Sequence, residues 1–285
     1  MAALPPMTVA DAKRIMANSI KPVTTQDFIR MKQAGRAIAV LTAYDFPTAR
    51  ILDEIGIDAV LVGDSANMVF YGEPSTLSIT VDQMIYHTRA VARAVKRALV
   101  IADMPFMSYQ VNADEALRNA GRFLKETGAT AVKMEGGLPI LPTIRRTVDA
   151  GIPVMGHLGL VPQSIHRFGG YGVRGRTAEE RTFLKDSAIA LQDAGCFSMV
   201  LEAIPADLAS EISQSIKIPT IGIGAGVGCD GQVLVTNDLL GLFEDFQPKF
   251  VRRYAALTQT MREAFARYVQ DVRDRKFPSD DESYS

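Results

Sequence analysis

The sequence predicts an α/β protein with the (β/α)8 TIM-barrel fold. Eight short β-rich runs recur along the 285 residues, and most of the intervals between them repeat apolar residues every three or four positions. Strands that alternate with helices form parallel sheets joined by right-handed crossovers. Eight such units fit the roughly 250 residues typical of this barrel, whereas a doubly wound sheet usually has fewer strands. We therefore expect one closed barrel rather than an open sheet.

The predicted strands are short apolar runs bounded by polar or turn-forming residues. Helical periodicity is clearest after the second and third strands, at residues 80–97 and 112–128. The interval VGCDG before the last strand is too short for a helix, so this unit departs from the repeat. In chain order, we predict strands at residues 37–45, 59–65, 98–106, 131–136, 153–159, 198–203, 219–226 and 232–237.

Helices are predicted on both sides of the eight strands. In TTQDFIRMKQAG, Thr24 or Thr25 can serve as the N-cap and Gly35 ends the helix, which would close the bottom of the barrel. Residues 248–276 repeat apolar residues with helical spacing and predict a C-terminal helical extension. We expect a single barrel domain over residues 1–285, with a peripheral N-terminal arm, 1–20, and a peripheral, disordered tail, 277–285.

Charge and cysteine content narrow the class of protein. With 31 basic and 32 acidic side chains, the net charge is -1, and without a basic stripe we do not expect nucleic-acid binding. Cys196 and Cys229 have no CxxC or Cys/His spacing, which argues against a disulfide framework and a zinc site. The N-terminus lacks the apolar core of a signal peptide, and no segment reaches the roughly 18 apolar residues of a membrane span. We expect a soluble, cytoplasmic protein with no membrane partner.

Five consecutive predicted strands, from the second to the sixth, end in ionisable side chains. In ATAVKMEGG, Lys133 and Glu135 interrupt an apolar run, and side chains two apart share one face of a strand. This pair should therefore point into the barrel with Ala131, at the end where such barrels carry out their chemistry. The same alternation aligns Asp64 with Val60 and Val62, Asp103 with Leu99 and Ile101, His157 with Met155, and Glu202 with Ser198 and Val200.

Each of these residues taken alone also has a structural explanation. An aspartate at a strand end commonly caps a helix or fixes a turn, so Asp64 or Asp103 singly is a weak indication. His157 could be a hydrogen-bonded core histidine, and Lys133 with Glu135 could be a structural ion pair. Buried charges are costly unless they are paired or bind a ligand, so five strands that end alike favour an active site.

The residue types indicate metal-assisted chemistry on a small acid. Asp64, Asp103 and Glu135 are hard oxygen ligands suited to Mg²⁺ rather than Zn²⁺. Lys133 could neutralise a substrate carboxylate as a point charge. Glu202 is followed by the apolar AIP, and a desolvated carboxylate there is suited to act as a general base. Together these groups predict enolate chemistry on a 2-oxo acid.

Two glycine-rich segments have weaker indications. GIGAGVGCDG contains a GxGxxG spacing, but it leads into a strand rather than a helix, so we interpret it as tight turns and not as a dinucleotide site. IHRFGGYGVRGR, residues 165–176, is either a mobile lid over an anionic ligand or a subunit contact. We expect no nicotinamide, flavin or pyridoxal cofactor.

Several long motifs occur in order: LTAYDFPTARILDEIGIDAVLVGDS, DMPFMSY, AVKMEGG, GHLGLVPQSIHRFGGYGVRGR, LEAIP and IGIGAGVGCDGQVLV. They resemble the motifs of the ketopantoate hydroxymethyltransferase family, from TTQDFIRMKQAG to VRRYAAL. The resemblance implies Mg²⁺-dependent transfer of a hydroxymethyl group from 5,10-methylenetetrahydrofolate to C3 of 2-oxoisovalerate. The product would be ketopantoate, a precursor in pantothenate biosynthesis. The resemblance also implies a homo-oligomer, commonly a decamer in the family.

The resemblance extends to individual residues. It implies removal of the C3 proton by a carboxylate, followed by attack of the enolate on the folate-borne carbon. By matching motif, it implies metal binding by Asp64 and Asp103 directly and by Glu135 through water, substrate binding by Ser65, Asp103, Lys133 and His157, and catalysis by Glu202.

Two alternative functions remain open. The first is a lyase or mutase of the phosphoenolpyruvate/pyruvate barrels, which share acidic strand ends and Mg²⁺, although the KKCGH loop of the lyases is absent here. The second is a non-catalytic barrel that acts as a binding or scaffold protein. Degenerate strand ends would favour the second, and the strand ends here are intact.

Overall fold

The structure is a computed structural model that describes residues 21–244 and 247–284. The predicted N-terminal arm, 1–20, lies outside the described residues, as does Ser285 of the predicted tail. The chain divides into two compact units: a barrel unit that ends at Val235 and a C-terminal unit formed by the rest. No helix in the described part of the chain is long and apolar enough to cross a membrane.

Eight parallel strands form the closed barrel that the sequence predicts, and each pairs with its neighbours in chain order. The first strand also pairs with the eighth, with Ile38 opposite Gly231. The two backbones approach so closely there that a Cβ at Gly231 would collide with the carbonyl oxygen of Ile38. The strands are β1 (Ile38–Thr42), β2 (Ala59–Val62), β3 (Leu99–Asp103), β4 (Ala131–Glu135), β5 (Val154–Gly159), β6 (Ser198–Glu202), β7 (Thr220–Ile223) and β8 (Gly231–Leu234).

Helices connect the strands except between β7 and β8, where residues 224–230, all of them described, contain no helix, as predicted. The connecting helices bury the apolar stripe that the sequence shows: Ala116, Ala120 and Phe123 share one buried face. The helices of the barrel unit are α1 (Thr25–Gln33), α2 (Phe46–Glu54), α3 (Ala66–Val69), α4 (Val81–Ala94), α5 (Ala113–Thr127), α6 (Leu141–Asp149), α7 (Ile165–Phe168), α8 (Ala178–Asp193) and α9 (Ala206–Ser215), with 3-10 turns at Leu138–Ile140 and Pro162–Ser164.

Helix α1 closes the bottom of the barrel, as the sequence predicts. Thr24 is its N-cap and forms a capping box with Asp27. Phe28 and Met31 are buried in one apolar cluster with the inward-facing residues of the strands. The ring of Phe28 meets Phe197, just before β6, edge to face at 5.8 Å between centroids. This end of the barrel is therefore a packed core.

The C-terminal unit contains α10 (Thr236–Leu239) and α11 (Leu257–Arg273). Helix α11 confirms the helical extension predicted within residues 248–276, whereas α10 begins at the end of the predicted eighth strand and was not predicted. Within this unit, Arg262 of α11 forms an ion pair with Glu244. The tail was expected to be disordered, but its described part contains a 3-10 turn at Asp280–Glu282. Ser279 and Glu282 form a capping box on this turn, which supplies hydrogen bonds that composition alone does not reveal.

Candidate active site

Side chains at the carboxyl ends of β3 to β6 converge in the mouth of the barrel. Asp103 lies opposite Lys133, and Glu135 opposite His157, in the register of neighbouring strands. The residues that alternate with them pack outward against the helices, so the strand period of two turns this set inward, as predicted. Glu202, the last residue of β6, joins them, because its Oε2 lies 3.1 Å from His157 Nε2.

Asp64 reaches the mouth by a different route from the predicted one. The two β2 valines with which the sequence aligns it pack outward, between strands and helices, so the alternation argument for Asp64 is wrong. Strand β2 ends at Val62, and the turn that follows brings the backbone N–H of Asp64 within 3.1 Å of Asp103 Oδ2. The turn, rather than the pleat of the strand, places this side chain. Ser65 lies in the same turn, with its Oγ 2.8 Å from Tyr44 Oη.

Lys133 is the central cation of the mouth. Its Nζ lies 2.8 Å from Asp103 Oδ1, 3.9 Å from Glu135 Oε1 and 3.2 Å from His157 Nδ1. All four side chains are buried. Burial acts to lower the pKa of Lys133, but the nearby carboxylates outweigh it and raise that pKa above its ordinary value. The ammonium group therefore stays charged inside the barrel.

The carboxylates of the mouth outnumber its cations. Burial raises the pKa of Asp64 well above its ordinary value, and the charges of Asp103 and Glu135 raise it further. Burial also raises the pKa of Asp103, although Lys133 opposes this. Burial acts in the same direction on Glu135, but His157 and Lys133 outweigh it and lower the pKa of that carboxyl. An added positive charge beside Asp64 and Asp103 would relieve this repulsion.

His157 bridges two carboxylates. Burial and the charge of Lys133 lower the pKa of His157, whereas Glu135 and Glu202 raise it, and the balance is a value of about 8. Nδ1, 3.4 Å from Glu135 Oε1, can donate to this carboxylate when protonated or accept from Lys133 when neutral. Nε2 contacts Glu202 as an ion pair but is not aligned for a hydrogen bond. The Glu202 side chain is 16% exposed, so it is the most accessible of the ion-paired groups of the mouth.

Asp64 and Asp103 fit a magnesium site with two protein ligands. Among the described residues, no three or more His, Cys, Asp or Glu side chains are arranged to hold a metal ion. Mg²⁺ does not require such a cage, because it is usually bound by one or two carboxylates and keeps water or substrate oxygens elsewhere. Asp103 Oδ1 is buried and, apart from its ion-pair contact to Lys133, has no hydrogen-bond partner. The donor set therefore fits the predicted ion.

Two uncharged residues of the mouth were not predicted from the sequence. Gln163 donates its backbone N–H to Glu135 Oε2 and its Nε2 to Asp64 Oδ2, both at 2.9 Å. Tyr109 donates its Oη–H to Gln163 Oε1 at 2.7 Å. Neither lies on a strand, and neither carries a charge, so alternation and charge patterns could not mark them. The proline before Gln163 signals only a turn.

The segment 165–176 begins with α7, and its residues Arg167 and Phe168 line a cavity that Glu135 of the mouth also lines. Tyr171 is half-exposed, and burial together with the charge of Asp64 and other mouth carboxylates raises its pKa. Arg174 forms an ion pair with Glu180 of α8, which fastens the segment to that helix. The lid and the subunit contact both stay predictions for this segment.

The sequence matches one protein family along nearly its whole length. The family profile described as ketopantoate hydroxymethyltransferase matches residues 22–280. The 3-methyl-2-oxobutanoate hydroxymethyltransferase of Prosthecochloris aestuarii is 59% identical, over 92% of this chain and 96% of its own. The protein of the same name from Chlorobium phaeobacteroides (strain BS1) is 54% identical, over 95% of this chain and 100% of its own.

Solved structures with a similar fold are far more distant in sequence. Phosphonopyruvate hydrolase in complex with oxalate and Mg²⁺ has a TM-score of 0.59 at 16% identity, covering 90% of this chain and 92% of that chain. Phosphoenolpyruvate phosphomutase from Streptomyces platensis has a TM-score of 0.58 at 13% identity, covering 86% of this chain and 88% of that chain. At such low identity, the likeness confirms the TIM-barrel fold and nothing finer.

Proposed function

The chain belongs to the ketopantoate hydroxymethyltransferase family, and we propose that it transfers a hydroxymethyl group from 5,10-methylenetetrahydrofolate to 2-oxoisovalerate, giving ketopantoate. The observation that carries this proposal is the set of charges in the mouth. Lys133 is a buried cation suited to a substrate carboxylate. Asp64 and Asp103 supply the one or two carboxylates by which Mg²⁺ is usually bound, and Glu202 is the accessible carboxylate beside His157.

Asp64 and Asp103 would hold Mg²⁺, with Glu135 supporting the ion through water. When bound, the ion would supply Lewis-acid polarisation of the keto group of the substrate. Burial is the main cause that raises the pKa values of both aspartic acids, and neighbouring carboxylates raise them further. This supports the assignment, because a nearby cation favours the charged form of a buried carboxylate. Glu135 is turned towards Gln163 and His157 rather than towards the aspartates, which suits an indirect role.

Glu202 would act as the base that removes the C3 proton. Ser65 and Lys133 would hold the carboxylate of the 2-oxo acid, and His157 would line the pocket against Glu202. The enolate carbon then attacks the methylene carbon of the folate. The new carbon–carbon bond forms as the first of the two folate carbon–nitrogen bonds breaks. Water then replaces the second folate nitrogen and supplies the hydroxyl group of the product, while the C3 proton and one proton of that water end on the two nitrogens of tetrahydrofolate.

An apolar cavity beside the mouth supports folate as the one-carbon donor. The cavity has a volume of about 180 Å³ and shares Glu135 with the mouth. Phe106, Tyr109 and Phe168 contribute aromatic rings to its lining, and Arg167 contributes a positive charge. Aromatic side chains pack against flat heterocycles in offset-stacked or edge-to-face geometry, as the pterin ring would require.

The lyase or mutase alternative has less support. Its solved members share the barrel at 16% and 13% identity, which concerns the fold alone. The hydroxymethyltransferase profile, in contrast, spans residues 22–280. The proposal also includes a homo-oligomer, as the resemblance to the family implies, and a cytoplasmic location.

Hydrogen exchange at C3 separates the two half-reactions and tests the proposal. In D₂O with Mg²⁺ and without folate, the protein should exchange the C3 proton of 2-oxoisovalerate. Proton NMR would record loss of the methine signal and collapse of the methyl doublet. Glu202→Gln cannot accept the proton, so the exchange rate should fall by about 10²–10⁴-fold. The exchange rate of His157→Asn, the matched control, should fall much less.

Adding 5,10-methylenetetrahydrofolate then tests the complete reaction through the formation of ketopantoate. Normal exchange in the Glu202 variant, with none in the His157 variant, would assign the base to His157. Exchange without ketopantoate would exclude this folate as the donor. No exchange in the wild type, with or without tetrahydrofolate, would overturn the enolate mechanism.

A further inference from the structure

One uncharged residue links the ends of three strands that form the mouth. Gln163 lies in the 3-10 turn after β5 and is 6% exposed. Its Nε2 donates to Asp64 Oδ2, after β2, and to the carbonyl oxygen of Met104, after β3, both at 2.9 Å. Its backbone N–H donates to Glu135 Oε2, at the end of β4, at 2.9 Å. Two mouth carboxylates thus receive hydrogen bonds from the same residue.

The amide of Gln163 is itself fixed in one orientation. Its Oε1 accepts from Tyr109 Oη at 2.7 Å and from Gln110 Nε2 at 2.9 Å. Because two donors face this oxygen, the group that faces Asp64 must be the amide NH₂. Tyr109 is fully buried and also accepts from the backbone N–H of Glu135 at 3.0 Å. The network therefore consists of hydrogen bonds between residues of the protein itself.

Asp64 accepts a side-chain hydrogen bond from this network. Lys133 forms ion pairs with Asp103 and Glu135, whereas the amide of Gln163 donates a hydrogen bond to Asp64 Oδ2. A hydrogen bond to one oxygen sets the plane of a carboxylate and leaves its other oxygen for a cation. We propose that Gln163 is a positioning residue that orients Asp64, and through its backbone Glu135, for a divalent cation. The inference rests on the proposed function, whose metal site it deepens.

Metal affinity distinguishes positioning from a purely structural role. Gln163→Leu removes the amide, keeps most of the volume and leaves the backbone bond to Glu135. We expect the Kd for Mg²⁺, measured by calorimetry without substrate, to rise about 10- to 100-fold. Asn119→Leu is the matched control, since Asn119 Nδ2 donates to Ser108 O at 2.7 Å, away from the mouth carboxylates. A structural role would lower the Tm of both variants and change the Kd of neither.

Crystal structures of the metal-free wild type and the Gln163→Leu variant give a readout independent of the metal. We expect the Asp64 carboxylate to adopt a different rotamer, or several, on an unchanged backbone. An unmoved Asp64, or an unchanged Kd, overturns the proposal. If the leucine variant does not fold, Gln163→Asn replaces it in both measurements, because its shorter side chain withdraws the amide from Asp64. A wild type that binds no Mg²⁺ contradicts the proposed metal site, while the rotamer of Asp64 still decides the positioning role.

Discussion

Asp64 and Asp103 share a proposed role but have different neighbours. Asp103 has the ammonium group of Lys133 at 2.8 Å, whereas Asp64 accepts a hydrogen bond from the neutral Gln163. Burial and like charges raise the pKa of Asp64 well above its ordinary value. In an unfolded chain this carboxyl ionises freely at neutral pH. Asp64 therefore destabilises the metal-free fold at neutral pH, and the effect fades as the pH falls towards its unfolded pKa.

Replacing each aspartate by asparagine should separate stability from metal binding. Asp64→Asn buries no charge and still accepts from Gln163, so we expect a gain of about 1 kcal/mol, or roughly 2 °C in Tm. Asp103→Asn removes the closest partner of Lys133 and should cost about 3 kcal/mol. Melting curves with a chelator measure both effects.

Both asparagine variants should also bind Mg²⁺ much more weakly in calorimetric titrations with 2-oxoisovalerate present. Unchanged Mg²⁺ affinity in both would remove the metal assignment. A loss of Tm as large for Asp64→Asn as for Asp103→Asn would show that Asp64 is not under the repulsion described.

The ends of β5 and β6 are positioned by a close approach of their backbones. Gly159, the last residue of β5, has φ +95, and a Cβ there would collide with the carbonyl oxygen of Glu202. The next residue, Leu160, donates its N–H to the same carbonyl at 2.8 Å. The glycine of one strand thus sets the position of the proposed base at the end of the next.

Gly159→Ala should displace the end of β6 and Glu202 with it. The new Cβ would clash with backbone atoms, which cannot move away as a flexible side chain could. We therefore expect the free energy of unfolding to fall by about 3 kcal/mol or more. Misplacement of the base should also lower C3 exchange by roughly 100-fold. Urea denaturation and NMR exchange measure the two effects.

Gly172→Ala is the control, because nothing lies within 4 Å of a Cβ at that glycine. It should retain both the stability and the exchange rate of the wild type. Equal behaviour of the two alanine variants would contradict the proposed role of the β5–β6 approach.

The buried charges of the mouth make the stability of the whole protein depend on pH. Burial acts to lower the pKa of His157, but Glu135 and Glu202 raise it to about 8, against about 6.5 in an unfolded chain. A pKa that is higher in the folded state contributes stability that is complete below about pH 6.5. This contribution is lost as the pH rises through about 8.

Stability of the metal-free protein should therefore fall by roughly 2 kcal/mol between pH 6 and pH 9. Urea denaturation at a series of pH values, with a chelator present, measures this. His157→Gln should remove most of the decline, whereas His166→Gln, at an exposed position, should leave it unchanged. A decline that survives in the His157 variant would assign the titration to another group.

The sequence alone determined the barrel and most of its mouth, because both depend on local periods. The strand predicted at 131–136 spans Ala131–Glu135 in the structure, and the alternation along it turned Lys133 and Glu135 inward as expected. Side chains alternate between the two faces of a strand, so the position of a residue along a known strand determines the face on which it lies. The helix that closes the bottom was likewise marked by its own cap at Thr24.

Only the tertiary structure decided how the side chains of Asp64 and Gln163 are placed in the mouth of the barrel. Both lie in turns, where the direction of a side chain follows from loop packing and not from a repeating period. Their hydrogen bond joins residues 99 positions apart in the chain. Such a contact arises only when barrel closure brings the loops after β2 and β5 together, because neither loop carries local information about the other.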